Sequence, residues 1–169
     1  MKETIRILGI DPGSQITGFG LIDVCGDRAR LVESGNIRTS GDHSARLRRI
    51  FSDVSDIVGK YRPGEIAIER VFVSKNADSA LKLGQARAAA LCATFDLDLP
   101  VFEYAPRQIK RSVVGNGGAD KSQVQIMVKM LLSMQTEPQS DTADALAAAL
   151  CHSHERASQI RIREAAMQS

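Results

Sequence analysis

The amino-acid sequence predicts an α/β fold: a mixed sheet of three antiparallel strands followed by parallel strands, with helices on both faces. The first observation is a run that is apolar on both faces, Ile5 to Ile10, which ends at an Asp-Pro-Gly turn. The second is a pair of strands that follows it after short turns, as in an antiparallel meander. The third is the alternation of helical and strand patterns over the rest of the chain, which is typical of parallel strands joined by helices.

Five strands and five helices are expected. The strands are predicted at residues 5–10, 16–24, 30–38, 65–71 and 100–104. The helices are predicted at residues 44–61, 76–95, 107–114, 121–134 and 141–156. Helix 44–61 has the clearest pattern, because Ile50, Val54 and Val58 recur at helical spacing and an Arg-Pro-Gly sequence follows.

The composition is that of a single globular domain. The 169 residues are 43% hydrophobic and 25% charged, with a net charge of +2. We expect one domain over residues 1–156 and a polar C-terminal tail over residues 157–169. No apolar run has the length of a membrane span and no signal-peptide pattern precedes the first strand, so we expect a cytoplasmic protein without membrane association. The three cysteines, Cys25, Cys92 and Cys151, are expected to be reduced and mostly buried thiols.

Two acidic residues end strands that are otherwise apolar. Asp11 follows the first strand, where a charge is costly to desolvate without a partner such as a cation. An Asp before Pro-Gly also shapes a turn without any further role. Glu69 stands in an Ala-Ile-Glu-Arg sequence, and it either joins Asp11 or points to solvent from an edge strand. These two positions are candidates for a metal-binding carboxylate pair.

Two further acids, Asp141 and Asp144, are three residues apart at the predicted start of the last helix, so both project from one side. Helix capping is the alternative explanation, and it suits Asp141 better than Asp144. Four carboxylates at one site would repel one another unless divalent cations neutralised them. Oxygen ligands favour Mg²⁺ or Mn²⁺, and two such ions about 4 Å apart activate water and stabilise the leaving oxygen of a phosphodiester. The acids therefore indicate nuclease chemistry.

Basic residues are concentrated between residues 107 and 129. They are Arg107, Lys110, Arg111, Lys121 and Lys129, against the single acid Asp120. Such a cluster attracts phosphate, although a solvated helix face is the alternative for any one of these charges. Lys110 and Lys121 flank a Gly-Asn-Gly-Gly break and are expected near the metals, with Lys121 in a catalytic role. The other three are expected to contact DNA phosphates more widely.

With these residues assembled, the chain resembles the RuvC family of Holliday junction resolvases. Four segments carry the resemblance: ILGIDPGSQITGFG, AIERVFVSKNADSALKLGQARAAA, PVFEYAPRQIKRSVVGNGGADKSQVQ and SDTADALAAALCHSH. It implies an RNase H-like fold, a homodimer, and Mg²⁺-dependent cutting of two strands of a four-way DNA junction in homologous recombination and repair. It also implies a branch-migration complex of the RuvA and RuvB type as partner.

The resemblance also implies roles for particular residues. The family's carboxylate tetrad matches Asp11, Glu69, Asp141 and Asp144, and its active-site lysines match Lys110 and Lys121. Its aromatic residue at the junction centre matches Phe72, which could stack on an unpaired base. A buried aromatic that anchors the loop is the alternative for Phe72.

Two other functions remain open from the sequence. A small-molecule phosphotransferase of the actin-like fold would also carry an Asp-Pro-Gly-Ser turn, but it needs a second lobe for which 169 residues leave little room. A junction-binding module without catalysis would gain nothing from placing acids against phosphates. For assembly, small residues along predicted helix 76–95 favour an isologous dimer through this helix.

Overall fold

The computed structural model describes residues 3–70 and 76–167, which form a five-stranded mixed sheet with helices on both faces. The strands are β1 (Thr4–Asp11), β2 (Ile16–Cys25), β3 (Arg28–Arg38), β4 (Glu65–Glu69) and β5 (Val101–Tyr104). The helices are α1 (His43–Tyr61), α2 (Ala77–Cys92), α3 (Pro106–Val114), α4 (Lys121–Leu131) and α5 (Ser140–Met167). The predicted fold class is confirmed.

β1 is the central strand of the sheet, whose order is β3-β2-β1-β4-β5. It pairs antiparallel with β2 and parallel with β4, and β5 continues parallel to β4. Ile7, Leu8 and Ile10 are completely or almost completely buried, because β1 has neighbours on both edges and helices on both faces. This explains why its sequence is apolar without alternation.

The two faces of the sheet have separate cores. One core joins Leu8 and Ile10 to the buried side chains of α1 and α2. The other joins Ile7 and Ala67 to α3, α4 and α5. Because side chains alternate along a strand, Asp11 lies on the same face as Ile7, which is the face that α5 covers. The position of α5 therefore determines what surrounds Asp11.

Several predicted boundaries differ from the structure. α2 ends at Cys92 and not near residue 95, where a short 3₁₀ turn, Phe95–Leu97, follows. α5 was expected to end near Arg156 but continues as one helix of 28 residues. No Gly or Pro interrupts residues 157–167 and most of them favour helix, so the described part of the polar tail is helical although largely exposed.

The structure shows where the cysteines lie and what the helices are made of. The cysteines were expected to be mostly buried, which is wrong, because only Cys151 is buried and the other two are exposed. Cys25 is the last residue of β2 and Cys92 the last residue of α2, and both ends face solvent. Across the described residues, none of the helices has the combined length and apolar character that crossing a membrane requires.

Glycines in β1 and β2 allow α5 to lie directly against the sheet. A Cβ at Gly9 would overlap the carbonyl oxygen of Ala145, and one at Gly18 would overlap that of Asp141. A Cβ at Gly20 would overlap the side chain of Leu146. Backbone therefore contacts backbone at the start of α5, which is the physical reason for glycine on this face.

We predict that Gly9→Ala lowers the free energy of unfolding by about 1–3 kcal/mol or more, because the added methyl group must displace α5. Urea denaturation measures the change. The control is Gly59→Ala in α1, where a Cβ meets nothing within 4 Å. The control should raise stability by about 0.5–1 kcal/mol through its effect on the unfolded chain. Equal stability of Gly9→Ala and wild type would contradict the packing described.

Candidate active site

Asp11 and Glu69 lie at the same edge of the sheet. Asp11 is the last residue of β1 and Glu69 the last residue of β4. The two strands are adjacent and parallel, and Ile10 lies opposite Ile68 one residue earlier. The turn after β1 is held by Thr17, whose hydroxyl group donates to the Gly13 carbonyl oxygen at 3.0 Å. The carboxyl ends of two central strands thus present both acids on the face covered by α5.

Asp141 and Asp144 reach this edge from the first turns of α5. Asp141 lies above Gly18, which is the residue opposite Asp11 in the β1–β2 pairing. Side chains of β3 hold this end of the helix: Thr142 Oγ1 donates to Asn36 Oδ1 at 2.8 Å. Asn36 in turn donates from Nδ2 to Gln139 Oε1 at 2.7 Å. The helix is therefore fixed from two strands at the end that carries both acids.

The carboxylates are close enough to change one another's protonation. Burial raises the pKa of Asp11 to about 8, with further increases from the negative charges of Asp144, Glu69 and Asp141. Burial, followed by the charge of Asp144, also raises the pKa of Glu69. Burial likewise raises the pKa of Asp144. All four predicted acids thus belong to one electrostatic cluster, in which Asp11 retains a proton at neutral pH when no cation is bound.

Two lysines oppose this negative charge. Nζ of Lys121, at the start of α4, lies 3.7 Å from Oδ2 of Asp144. The Lys121 side chain is 70% exposed, so this ion pair leaves it free to approach a phosphate. The capping box of α4, in which Asp120 and Gln123 bond reciprocally, fixes the helix start that carries Lys121. Lys110 on α3 is near enough that its charge lowers the pKa values of Glu69 and Asp144.

The remaining predicted DNA contacts lie on α3 and α4 or outside the described residues. Arg107 and Arg111 are exposed on α3. Lys129 is in the last turn of α4, about 12 Å along the helix from Lys121. Phe72 lies outside the residues that the structure describes.

Comparisons with known proteins identify the family of this chain. The family model described as crossover junction endodeoxyribonuclease RuvC matches residues 7–152. The chain belongs to the RuvC family. A RuvC from Edwardsiella ictaluri is 55% identical over 157 residues, which are 92% of this chain and 91% of the relative. A RuvC from Acinetobacter baylyi is 56% identical over 149 residues, covering 88% and 82% of the two chains.

Solved structures agree with this membership of the RuvC family. The structure described as T. thermophilus RuvC in complex with Holliday junction substrate is 34% identical and has a TM-score of 0.85. It covers 92% of this chain and 96% of its own. The yeast mitochondrial Holliday junction resolvase, at 13% identity and a TM-score of 0.69 over 96% and 85% of the chains, shares the fold.

The four acids described above have the donor chemistry of a divalent-cation site. All four offer oxygen ligands, and burial, together with neighbouring acids, raises the pKa of Asp11, Glu69 and Asp144, a cost that a bound cation would offset. Within residues 3–70 and 76–167, no three or more His, Cys, Asp or Glu side chains are spaced as a formed metal site. The residues fit a hard cation by chemistry and charge.

Sequence reasoning missed one group that holds α5 in place. His152 is 3% exposed and joins two strands: its Nδ1 lies 2.6 Å from Tyr104 Oη and its Nε2 lies 2.6 Å from Glu65 Oε2. Burial lowers the pKa of His152, so the neutral ring accepts from Tyr104 and donates to Glu65. Phe102 stacks on the ring at 4.2 Å. His152 was interpreted as surface or structural, and the structure shows the structural role.

We predict that Asp11→Asn stabilises the metal-free protein at high pH. Because burial and neighbouring acids raise the pKa of Asp11 from 3.8 to about 8, its contribution to stability is complete below pH 4 and is lost as the pH rises through 8. Asn carries no such cost, so the variant should gain on the order of a few kcal/mol at pH 8, and the gain should vanish near pH 4.

Thermal unfolding between pH 4 and pH 9 in a chelating buffer measures this difference. Asp96→Asn, at an exposed position in the turn after α2, is the matched control and should follow wild type throughout. A gain for Asp11→Asn that did not depend on pH would show that ionisation of Asp11 is not its cause.

Proposed function

We propose that this protein resolves four-way DNA junctions by metal-dependent hydrolysis of phosphodiester bonds in two symmetry-related strands, leaving nicks that can be ligated. The observation that carries the proposal is the cluster of four acids on β1, β4 and α5 with two lysines at its border. Membership of the RuvC family and the Thermus structure with a Holliday junction substrate support it. A module that only binds junctions would place no buried acids where phosphates approach.

Asp11, Glu69, Asp141 and Asp144 are the proposed ligands of Mg²⁺, or Mn²⁺ in its place, with two ions in each site. When bound, the ions supply activation of water and stabilisation of the leaving oxygen. Asp11 must release its proton for a cation to bind, because its pKa is about 8 in the metal-free site.

Lys121 and Lys110 have different proposed roles from those of the acids. Lys121 pairs with Asp144 and is largely exposed, so it can follow the transferring phosphate and stabilise charge that develops on it. Lys110 lies on the Glu69 side of the cluster and holds a neighbouring phosphate. Arg107, Arg111 and Lys129 form the wider DNA contact. Phe72 keeps its predicted role of stacking on a base at the junction centre.

A homodimer through α2 fits the two strands that must be cut. Ala86 and Ala90 are buried against the sheet, whereas Gly84 and Ala88 are exposed on the other side of the helix. Leu81 is 63% exposed on the same helix, and Phe95 just beyond it is 62% exposed. An apolar surface of this kind suits a second copy of the chain, related by the twofold symmetry of the junction.

The proposed setting is recombination and repair in the cytoplasm. A branch-migration complex of the RuvA and RuvB type is the proposed partner, which follows from family membership.

We predict that Asp11→Asn, Glu69→Gln, Asp141→Asn and Asp144→Asn each lower the cutting rate of a synthetic four-way junction by about 100-fold or more. The amides keep the shape of the side chain but lose the charge that holds a cation. Junction affinity should be unchanged or slightly higher, because each variant removes a negative charge near phosphate. Single-turnover cutting with and without Mg²⁺, beside a binding titration in Ca²⁺, measures both quantities.

Asp96→Asn is again the control and should cut at the wild-type rate. A member of the tetrad whose amide variant cut normally would leave the proposed site. Cutting of plain duplex as rapidly as of the junction would contradict the proposed substrate.

We predict that Lys121→Ala and Lys129→Ala differ although both remove one charge from α4. Lys121→Ala should lower the cutting rate at saturating enzyme, because charge beside the transferring phosphate stabilises the transition state more than the ground state. Lys129→Ala should mainly weaken binding and reduce its salt dependence. The measurements are single-turnover rates and binding titrations at several salt concentrations. If both variants lost only affinity, Lys121 would have no catalytic role.

A further inference from the structure

α1 begins beside the turn that carries Asp11. The backbone N–H of Thr39 donates to the Gln15 carbonyl oxygen at 3.0 Å. The Thr39 hydroxyl group donates to the Ser14 carbonyl oxygen at 2.8 Å. These bonds hold the segment before α1 against the Asp-Pro-Gly-Ser turn. The first half of α1 therefore lies at the catalytic edge of the sheet, but on the face opposite to α3 and α4.

The outer side of α1 carries a basic surface at this end. Ser44, Arg48 and Ser52 follow one another at intervals of four residues and so form one stripe of the helix, about 12 Å long. Arg49 lies beside them. These four residues, here called the α1 surface, line a shallow concavity of about 480 Å³ together with Asp42 and Ala45.

Within the described residues, only one of the two arginines of the α1 surface is paired with an acid. Arg48 is exposed and has no hydrogen bond or ion pair with any other residue in the described part of the chain. Arg49 pairs with Asp53 at 2.7 Å but remains 62% exposed. The acid that borders the concavity, Asp42, is engaged as the helix cap and accepts the N–H of Ala45 at 2.8 Å. Arginine is thus the dominant charge presented to solvent here.

The order of charges along α1 is not explained by helix stability. The ends of α1 follow the helix dipole, since Asp42 caps its start and Lys60 lies in its last turn. Between them, Arg46, Arg48 and Arg49 stand in the first half, whereas Asp53 and Asp56 stand in the second half. The helix dipole favours the opposite order, with acids near the start and bases near the end. The helix dipole therefore does not account for the arginines in the first half of α1.

We propose that the α1 surface binds the phosphate backbone of one duplex arm of the junction. Guanidinium groups and hydroxyl groups are common donors to DNA phosphates, and a stripe of 12 Å spans roughly three to four nucleotide steps of 3.4 Å. The basic residues of α3 and α4 approach the catalytic edge from the other face of the sheet. The strand at the acids is thereby held by positive charge on both sides, with one arm leaving over each face. This inference rests on the proposed junction-cutting function.

The test compares Arg48→Ala with Lys60→Ala. Both variants remove one exposed positive charge from α1, but Lys60 lies in its last turn, at the end of the helix far from the acids. Each phosphate contact contributes about 0.9 to the slope of log affinity against log salt. The ratio of wild-type to Arg48→Ala affinity should therefore be about 3.5 times larger at 50 mM than at 200 mM salt. Lys60→Ala should match wild type at both salt concentrations.

Two further measurements keep the result interpretable. Arg48→Lys should recover most of the affinity, because a lysine is also able to hold a phosphate. The melting temperature of Arg48→Ala should equal or exceed that of wild type, since the helix dipole does not favour the charge that is removed.

The possible failures are distinct. If wild type cuts the junction but Arg48→Ala has the affinity and salt slope of Lys60→Ala, the α1 surface does not bind an arm and the junction-cutting function stands. If Arg48→Ala loses affinity with an unchanged salt slope, the contact is not with phosphate and the proposal is overturned. If wild type does not cut the junction, the proposed function itself fails.

Discussion

The active site depends on the direct contact between the backbone of α5 and the glycines of β1 and β2. Aspartate has only one methylene group between its backbone and its carboxyl group, so Asp141 and Asp144 reach Asp11 only if their helix lies close to the sheet. Gly9 and Gly18 provide that closeness, because any side chain at either position would overlap a carbonyl oxygen of α5. The alanines in the buried part of α5 continue the same close packing along the helix. Two strands and one helix thereby bring the four acids to the same edge of the sheet.

The same closeness has an energetic cost. Burial and mutual repulsion raise the pKa of Asp11 to about 8, so the folded chain without a cation binds a proton that the unfolded chain releases at neutral pH. Lys121 and Lys110 offset part of this repulsion. A cation bound at the proposed site would relieve the remainder, and metal affinity would then be linked to folding stability. The hydrogen bonds of His152 offset part of this cost in another region. They join α5 to Glu65 of β4 and Tyr104 of β5, and both ring nitrogens have a partner.

The sequence predicted local and periodic features well. The apolar run of β1 and the helical pattern of α1 depend on near neighbours, and the structure agrees with both. The sequence was a poorer guide to features that depend on contacts between distant segments. The role of Gly9 and the burial of His152 arise from contacts between residues far apart in the chain, which no local pattern reveals. The sequence after Arg156 has no Gly or Pro to stop α5, and its polar composition alone does not end a helix. Cys25 and Cys92 are exposed because they lie at the solvent-facing ends of β2 and α2.

The acids of the site come from opposite ends of the chain. Asp11 stands in the first strand and Asp144 in the last helix, about 130 residues apart. Closing so long a loop is entropically costly, and such a contact forms only after the intervening strands and helices give it a surface on which to dock. During synthesis on the ribosome, the meander and β4 emerge well before α5. A nascent chain can therefore display Asp11 and Glu69 but not the complete tetrad, and a potentially harmful DNA-cutting activity stays absent until translation is nearly finished.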